Sequence, residues 1–368
     1  MRRDVLVLLI ILAGLVSAAL VGGSMWAERR ASKLVKPTDQ ARVGEVVLTD
    51  PRTETGIPVR IWRPDQLPPA PHPAVEWSGP DHGLPLVIYV PSWGGRRSEN
   101  DVMLSTIAGA GFIVVAMDDI SHDRPDPATN AADEMVRLAP FSMQTTQDYT
   151  SFPITSERRT RLGYDKLQRV LDALRAGQAS ELLEGVDFSR IAVVGYSFGG
   201  AVAARAIAVD GRFAAGVDLD GWVIHTPAAA GLQRPFLAVY AALQPSGSIW
   251  SHRPNYETRI GWEDFGCLLG LARSSGSKVF IIDGARHSDF SDQLYAEDRW
   301  RHWRPWAPKR LAPERIHAII DTLLLRFLVG HLIQHGSTPR ADFAEVRSVT
   351  EIEGLSPTRP RLGVGSAN

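Results

Sequence analysis

The chain has 368 residues, 44% hydrophobic and 22% charged, with a formal net charge of -1. This is globular composition, outside the ranges of disordered, collagen-like or coiled-coil chains, and its near-neutrality gives no electrostatic ground for a nucleic-acid partner. Cys267 is the only cysteine, which excludes an intrachain disulfide and a cysteine-based zinc cluster; its setting between Gly266 and Leu268 reads as that of a small buried hydrophobe.

At the N-terminus, Arg2 and Arg3 precede an uncharged run from Val5 to Trp26. A charged start followed by an apolar core is the pattern of a membrane-targeting segment. Two outcomes are equally open for residues 1–30. Small residues at Ser17, Ala18 and Ala19 supply a cleavage site for an exported protein, or the run stays as an anchor, being long enough to span. Either places the catalytic domain outside the cytoplasm.

Val43–Leu48 and Ile57–Trp62 read as an antiparallel hairpin around Asp50-Pro51 and Gly56. Pro64 to Pro85 is a loop, and Leu86–Val90 a wholly apolar strand of the kind buried in parallel sheets. The glycine-rich loop Pro91-Ser92-Trp93-Gly94-Gly95 follows, then a helical pattern from about Asn100 to Ala110 and a second buried strand, Phe112–Met117. Residues 121–153 are polar, carry four prolines and read as a long irregular loop of the lid type. Helical periodicity returns over Ser156–Ala176. Strands over Ile191–Val194, Phe213–Leu219, Phe236–Tyr240 and Lys278–Ile282 alternate with helices over Gly199–Val209, Thr258–Ala272 and Pro313–His335. The alternation predicts an α/β fold, a mostly parallel sheet of about eight strands flanked by helices. The catalytic domain is set at 40–337, followed by a loosely packed tail over 338–368.

Within this frame Gly195-Tyr196-Ser197-Phe198-Gly199 carries the chemistry. Glycines two before and two after a serine allow a tight strand-to-helix turn that exposes the hydroxyl at the carboxyl end of the sheet. A β-branched strand before and a small-residue helix after give the motif its context, so Ser197 is the candidate nucleophile. The oxyanion of an acyl-transfer intermediate needs two donors. The Phe198 amide is one by position, and the Trp93 amide is nominated as the other, with Gly94 next.

The base on this fold lies after a late strand. Of the ten histidines, His287 meets that demand, following Lys278–Ile282 through Asp283-Gly284-Ala285-Arg286. No carboxylate stands between Phe236 and Glu257, so the acid is sought one strand earlier, in Asp218-Leu219-Asp220-Gly221-Trp222. Asp220 lies at the strand's carboxyl end and is preferred; Asp218, two residues earlier and on the same side by alternation, is its rival.

Three segments together resemble the platelet-activating factor acetylhydrolase family of the secreted plasma type, close to dienelactone hydrolases and cutinase-like polyesterases. They are Gly195–Gly200, Gly216–Trp222 with its leucine–aspartate–x–tryptophan unit, and Gly284–Asp292 with its histidine–x–x–phenylalanine unit. The resemblance covers roughly residues 40–335. It implies an α/β-hydrolase fold with Ser197, Asp220 and His287 as nucleophile, acid and base, and the Trp93 and Phe198 amides as oxyanion donors. It departs at the oxyanion loop, where the family's serine–histidine/proline–glycine stands as Val90-Pro91-Ser92.

The expected activity is hydrolysis of carboxylic esters of short to moderate acyl length, on a small-molecule or lipid ester, through an acyl-enzyme. An amide, thioester or polyester substrate, or a non-catalytic envelope module on the same fold, is the alternative. Serine chemistry calls for no cofactor and no metal. Asp118-Asp119-Ile120-Ser121-His122-Asp123 has a metal-like composition but reads as the polar end of a strand. Trp300-Arg301-His302-Trp303-Arg304-Pro305-Trp306 reads as a packed helical turn with arginines on rings, or as an interfacial patch.

Overall fold

Leu86–Val90, Ile113–Met117, Ile191–Val194 and Phe236–Tyr240 are too hydrophobic on both sides to face water, and they lie in one sheet. The computed structural model describes residues 41–65, 83–125, 129–241, 256–273, 276–294, 311–333 and 343–348. The leader, residues 242–255 and the Trp300–Trp306 cluster lie outside these. Among the described residues no helix is long and apolar enough to cross a membrane.

The strands are β1 (Ala41–Thr49), β2 (Gly56–Pro64), β3 (Leu84–Val90), β4 (Ile113–Met117), β5 (Val186–Tyr196), β6 (Ala215–Leu219), β7 (Phe236–Ala241), β8 (Ser277–Ile282) and β9 (Val346–Ser348). They form a nine-stranded sheet in the order β1-β2-β4-β3-β5-β6-β7-β8-β9. From β4 to β8 every pairing is parallel, while the β1–β2 hairpin and β9 close the two edges in antiparallel register. Side chains alternate between two cores. On β3, Leu86, Ile88 and Val90 enter one, Val87 and Tyr89 the other.

The first core lies under helices α3 (Thr146–Arg175), α4 (Phe198–Val209) and α5 (Tyr256–Ala272). The second lies under α1 (Asp101–Gly109) and α6 (Pro313–Leu332). Helices on both faces of a mostly parallel sheet are the α/β arrangement expected from the alternation of elements.

The structure departs from the sequence reading in two places. Residues 121–153 are not an irregular loop: they contain α2 (Ala131–Leu138) and the first turns of α3. Asn130 caps α2 by accepting from the Asp133 amide, and Thr145 with Asp148 forms a capping box for α3. Pro153 sits inside α3, where packing outweighs the amide it lacks. Tyr149 stacks on Tyr256 at 5.2 Å and Phe152 packs on Trp222 at 5.7 Å.

The second departure is the ninth strand. β9 lies in the stretch set aside as tail, and its residues carry no apolar run that would mark a strand. It is held by pairing with Phe280–Ile282, by the Asp283 amide donating to the Glu345 carbonyl at 2.8 Å, and by an Arg315–Glu345 ion pair at 2.8 Å.

Candidate active site

β5 delivers Ser197 to the carboxyl edge of the sheet, and α4 begins at the next residue. Ser197 has φ 56 and ψ -119, a conformation that non-glycine residues rarely adopt and that stores strain at functional turns. The flanking glycines are required by contact as well as by bending. A Cβ at Gly195 would overlap the Gly199 carbonyl, and one at Gly199 would overlap the Val90 carbonyl. The turn is further fixed by the Ser197 amide donating to the Leu219 carbonyl at 2.9 Å.

The structure brings Ser197, His287 and Asp220 together. His287 Nε2 lies 3.0 Å from Ser197 Oγ, and its Nδ1 lies 2.7 Å from Asp220 Oδ2. His287 starts a short 3-10 turn, His287–Phe290, that follows β8. Its backbone carbonyl accepts from the Tyr196 hydroxyl at 3.0 Å, and its ring packs on the Tyr196 ring at 5.1 Å. The residue before Ser197 therefore helps to place the imidazole.

Asp220 stands just beyond β6 with φ 54, its other carboxylate oxygen accepting from the Ala241 amide at 2.7 Å. The period-two alternation used to place Asp218 and Asp220 on one side therefore stops at Leu219, because a left-handed residue follows the strand. Asp218 points elsewhere. Its Oδ2 accepts from the Tyr240 hydroxyl and its Oδ1 from the Gly221 amide, both at 2.7 Å, and it is fully buried beneath the Ser197 turn.

The charge balance at His287 has a definite direction. Partial burial pulls the imidazole down, but the hydrogen bond and the charge of Asp220 outweigh it, so its pKa stands above the ordinary value. Only the neutral ring can take a proton from a serine. Activity of a site working in this way is therefore present above the raised pKa and lost as the pH falls through it. The expected acidic limb of kcat/KM has its midpoint above about 6.5; a pH–rate profile on an uncharged ester with its midpoint below that value would contradict the assignment.

The loop after β3 is fastened at each amide but one. The Ser92 amide donates to Glu99 at 2.8 Å, the Gly94 amide to Asp119 at 3.1 Å, and the Gly95 amide to the Ser92 carbonyl at 2.9 Å. The Ser92 hydroxyl also donates to Glu99. Among the described residues the amides of Trp93 and Phe198 have no acceptor, and the two rings pack at 5.7 Å. These are the two donors nominated from the sequence. Glu99 went unnoticed there, since nothing in a seven-residue spacing marks its link to Ser92.

The acidic string after β4 is made of ion pairs. Asp118 meets Arg97, Asp119 meets Arg159, and Asp123 meets Lys166. Cys267 is half-buried, not fully buried as its setting suggested.

A serine on a strained strand-to-helix turn, with an imidazole and a carboxylate on later loops of the same sheet edge, defines the α/β-hydrolase class. The likenesses to known proteins are narrower. Residues 167–336 match the family model of platelet-activating factor acetylhydrolase, isoform II, and residues 75–248 that of the dienelactone hydrolase family. A probable 1-alkyl-2-acetylglycerophosphocholine esterase of Arthroderma benhamiae is 24% identical over 218 residues, 58% of this chain and 50% of that one. The platelet-activating factor acetylhydrolase of Cavia porcellus is 27% identical over 171 residues, 40% of this chain and 38% of that one. The chain thus spans half or less of the curated relatives it matches. A ferulic acid esterase from Streptomyces cinnamoneus shares the fold, with a TM-score of 0.53 at 20% identity over 86% of this chain and 97% of that one. These likenesses agree with the three-motif resemblance, and the solved structure shares the fold.

Proposed function

We propose that this protein hydrolyses carboxylic esters of short to moderate acyl length, on a small or lipid-derived alcohol, through an acyl-enzyme on Ser197. The observation that carries the reading is the continuous hydrogen-bond line from Ser197 Oγ through His287 to Asp220, at 3.0 Å and 2.7 Å. His287 takes the serine proton as Ser197 attacks the carbonyl, then gives it to the departing alkoxide. Water repeats the sequence in reverse and frees the acid. Asp220 holds the ring in the tautomer with its proton on Nδ1 and stabilises the imidazolium. The amides of Trp93 and Phe198 face the developing oxyanion.

A short acyl group is supported by the acetyl esters in the relatives' names, and an apolar one by the rings gathered at the turn. Trp93, Phe198 and Trp222 pack in sequence at 5.7 Å and 6.3 Å. The apolar leader Val5–Trp26 supports a site of action outside the cytoplasm.

The test is turnover of p-nitrophenyl esters from acetyl to palmitoyl by the purified protein. Ser197→Ala is expected to lower kcat by about 10⁴-fold or more on every ester cleaved, since the nucleophile is lost and only binding and the oxyanion donors remain. Turnover that survives Ser197→Ala would overturn the reading, as would no turnover across the panel. A rate that rises only for long chains at an interface would overturn the acyl-length assignment.

A further inference from the structure

Arg159 and Asp119 form an ion pair with no exposed side-chain surface, 2.7 Å apart, next to the proposed oxyanion donors. Burying such a pair costs more than a well-packed apolar substitute, so its placement asks for a reason beyond filling space. The guanidinium carbon lies 3.9 Å from the centre of the Trp93 ring and 5.0 Å from that of Phe198. Its Nη1 donates to the carbonyls of Val136 and Arg137, at the end of α2. Asp119, the partner, accepts the Gly94 amide at 3.1 Å and donates its own amide to the Gly95 carbonyl at 3.0 Å. The Trp93 indole N–H is tied to the Ala139 carbonyl at 2.9 Å, just beyond the same helix. One buried cation therefore links the oxyanion loop, the end of β4 and the C-terminus of α2.

We propose that Arg159 is a positioning residue for ester hydrolysis: through Asp119 and the Trp93 ring it holds the Trp93 amide aimed at the tetrahedral oxyanion. The inference rests on the reading of Ser197 as nucleophile. Arg159 touches no reacting atom. It acts by denying the loop other arrangements, and a donor fixed before the reaction costs no reorganisation during it. Only an arginine fits the role, since it must stack on a ring and donate in a planar fork at once.

The decisive variant is Arg159→Met with Asp119→Asn in the full chain. It removes both charges together, leaving no unpaired buried ion, and keeps an oxygen to accept the Gly94 amide. Three quantities are read: kcat and KM on p-nitrophenyl acetate, the affinity of a phenylboronic acid that forms a tetrahedral adduct with Ser197, and the melting transition. The expected result is a kcat lowered about 10–100-fold, less than the roughly 10²–10³-fold loss for deleting an oxyanion donor outright. KM stays within about twofold, and boronate affinity falls by the same factor as kcat, because an interaction confined to the transition state moves these two together. Arg159→Lys, which keeps the charge and loses the fork, is expected to fall between wild type and the double variant on both ratios.

A kcat kept within about threefold overturns the proposal, as does a kcat that falls with the melting temperature while boronate affinity stands. Should Ser197→Ala leave turnover intact, the underlying reading falls and this one with it. Should Ser197→Ala abolish turnover while the Arg159 variants behave as wild type, only the positioning role is lost.

Discussion

Asp220→Asn is expected to lower kcat on a p-nitrophenyl ester by about 10⁴-fold, whereas Asp218→Asn changes it by less than about threefold. The two residues are separated by one position and by everything that matters chemically. Asp220 meets His287 Nδ1 at 2.7 Å; an amide there presents a donor to the same nitrogen or turns the imidazole to the wrong tautomer. The acidic limb should also move to lower pH, since the charge that raises the His287 pKa is gone. Asp218 never reaches the ring. Burial is the main force that pushes its carboxyl up to about 8, with repulsion from Asp264 adding to it against the hydrogen bonds from Tyr240 and Gly221. A neutral carboxylic acid is what asparagine imitates.

The same residue carries a stability signature of opposite kind to a salt-bridged carboxylate. Between its unfolded value of 3.8 and about 8, the folded state keeps a proton that the unfolded chain releases. Stability from this group therefore falls as the pH rises through that window, and Asp218→Asn should flatten the slope of melting temperature against pH. Equal loss of kcat in the two variants would undo the assignment of the acid.

Gly199→Ala is expected to destabilise the fold by about 3 kcal/mol or more, beyond the usual cost of overpacking, because the atoms it meets are backbone. The new methyl would overlap the Val90 carbonyl and press on Pro91. Neither can retreat. Val90 is the last residue of a central strand paired on both sides, with Gly195 as its partner in β5, and the loop beyond it is fastened through Glu99 and Asp119. Relief requires opening the gap between β3 and α4, which moves Ser197 away from the proposed oxyanion donors. Chemical denaturation and turnover should fall together. A variant with the stability of wild type would show that the close approach is not needed.

The parts of this protein that were legible in sequence are those where local pattern and global fold agree. The β-branched run Ile191–Val194 before Gly195–Gly199 and the small-residue helix after it are what mark Ser197. His287 followed from chain order. Asp220 follows from its place at the end of β6, whereas alternation stops at its left-handed φ, which no side-chain pattern announces. What stayed hidden was long-range. The start of α3 depends on a capping box with aspartate in place of glutamate, and on Tyr149 and Phe152 finding Tyr256 and Trp222 across the fold. Arg159 is one arginine among many on a helix, and only its partners distinguish it.

The short strand β9 decides what the far edge of the sheet can do to its neighbours. Were it absent, β8 would offer the free amides and carbonyls of Phe280–Ile282 to any passing chain, and an open row of this kind templates self-association. That row leads directly to Asp283, which β9 also grips through Arg347, and four residues later to His287. The pairing that covers this edge thus also fixes the strand end from which the His287 loop departs. A chain shortened at residue 336, where the family likeness ends, is expected to leave Phe280–Ile282 as an open edge and to aggregate at lower concentration than the full chain, as light scattering would read.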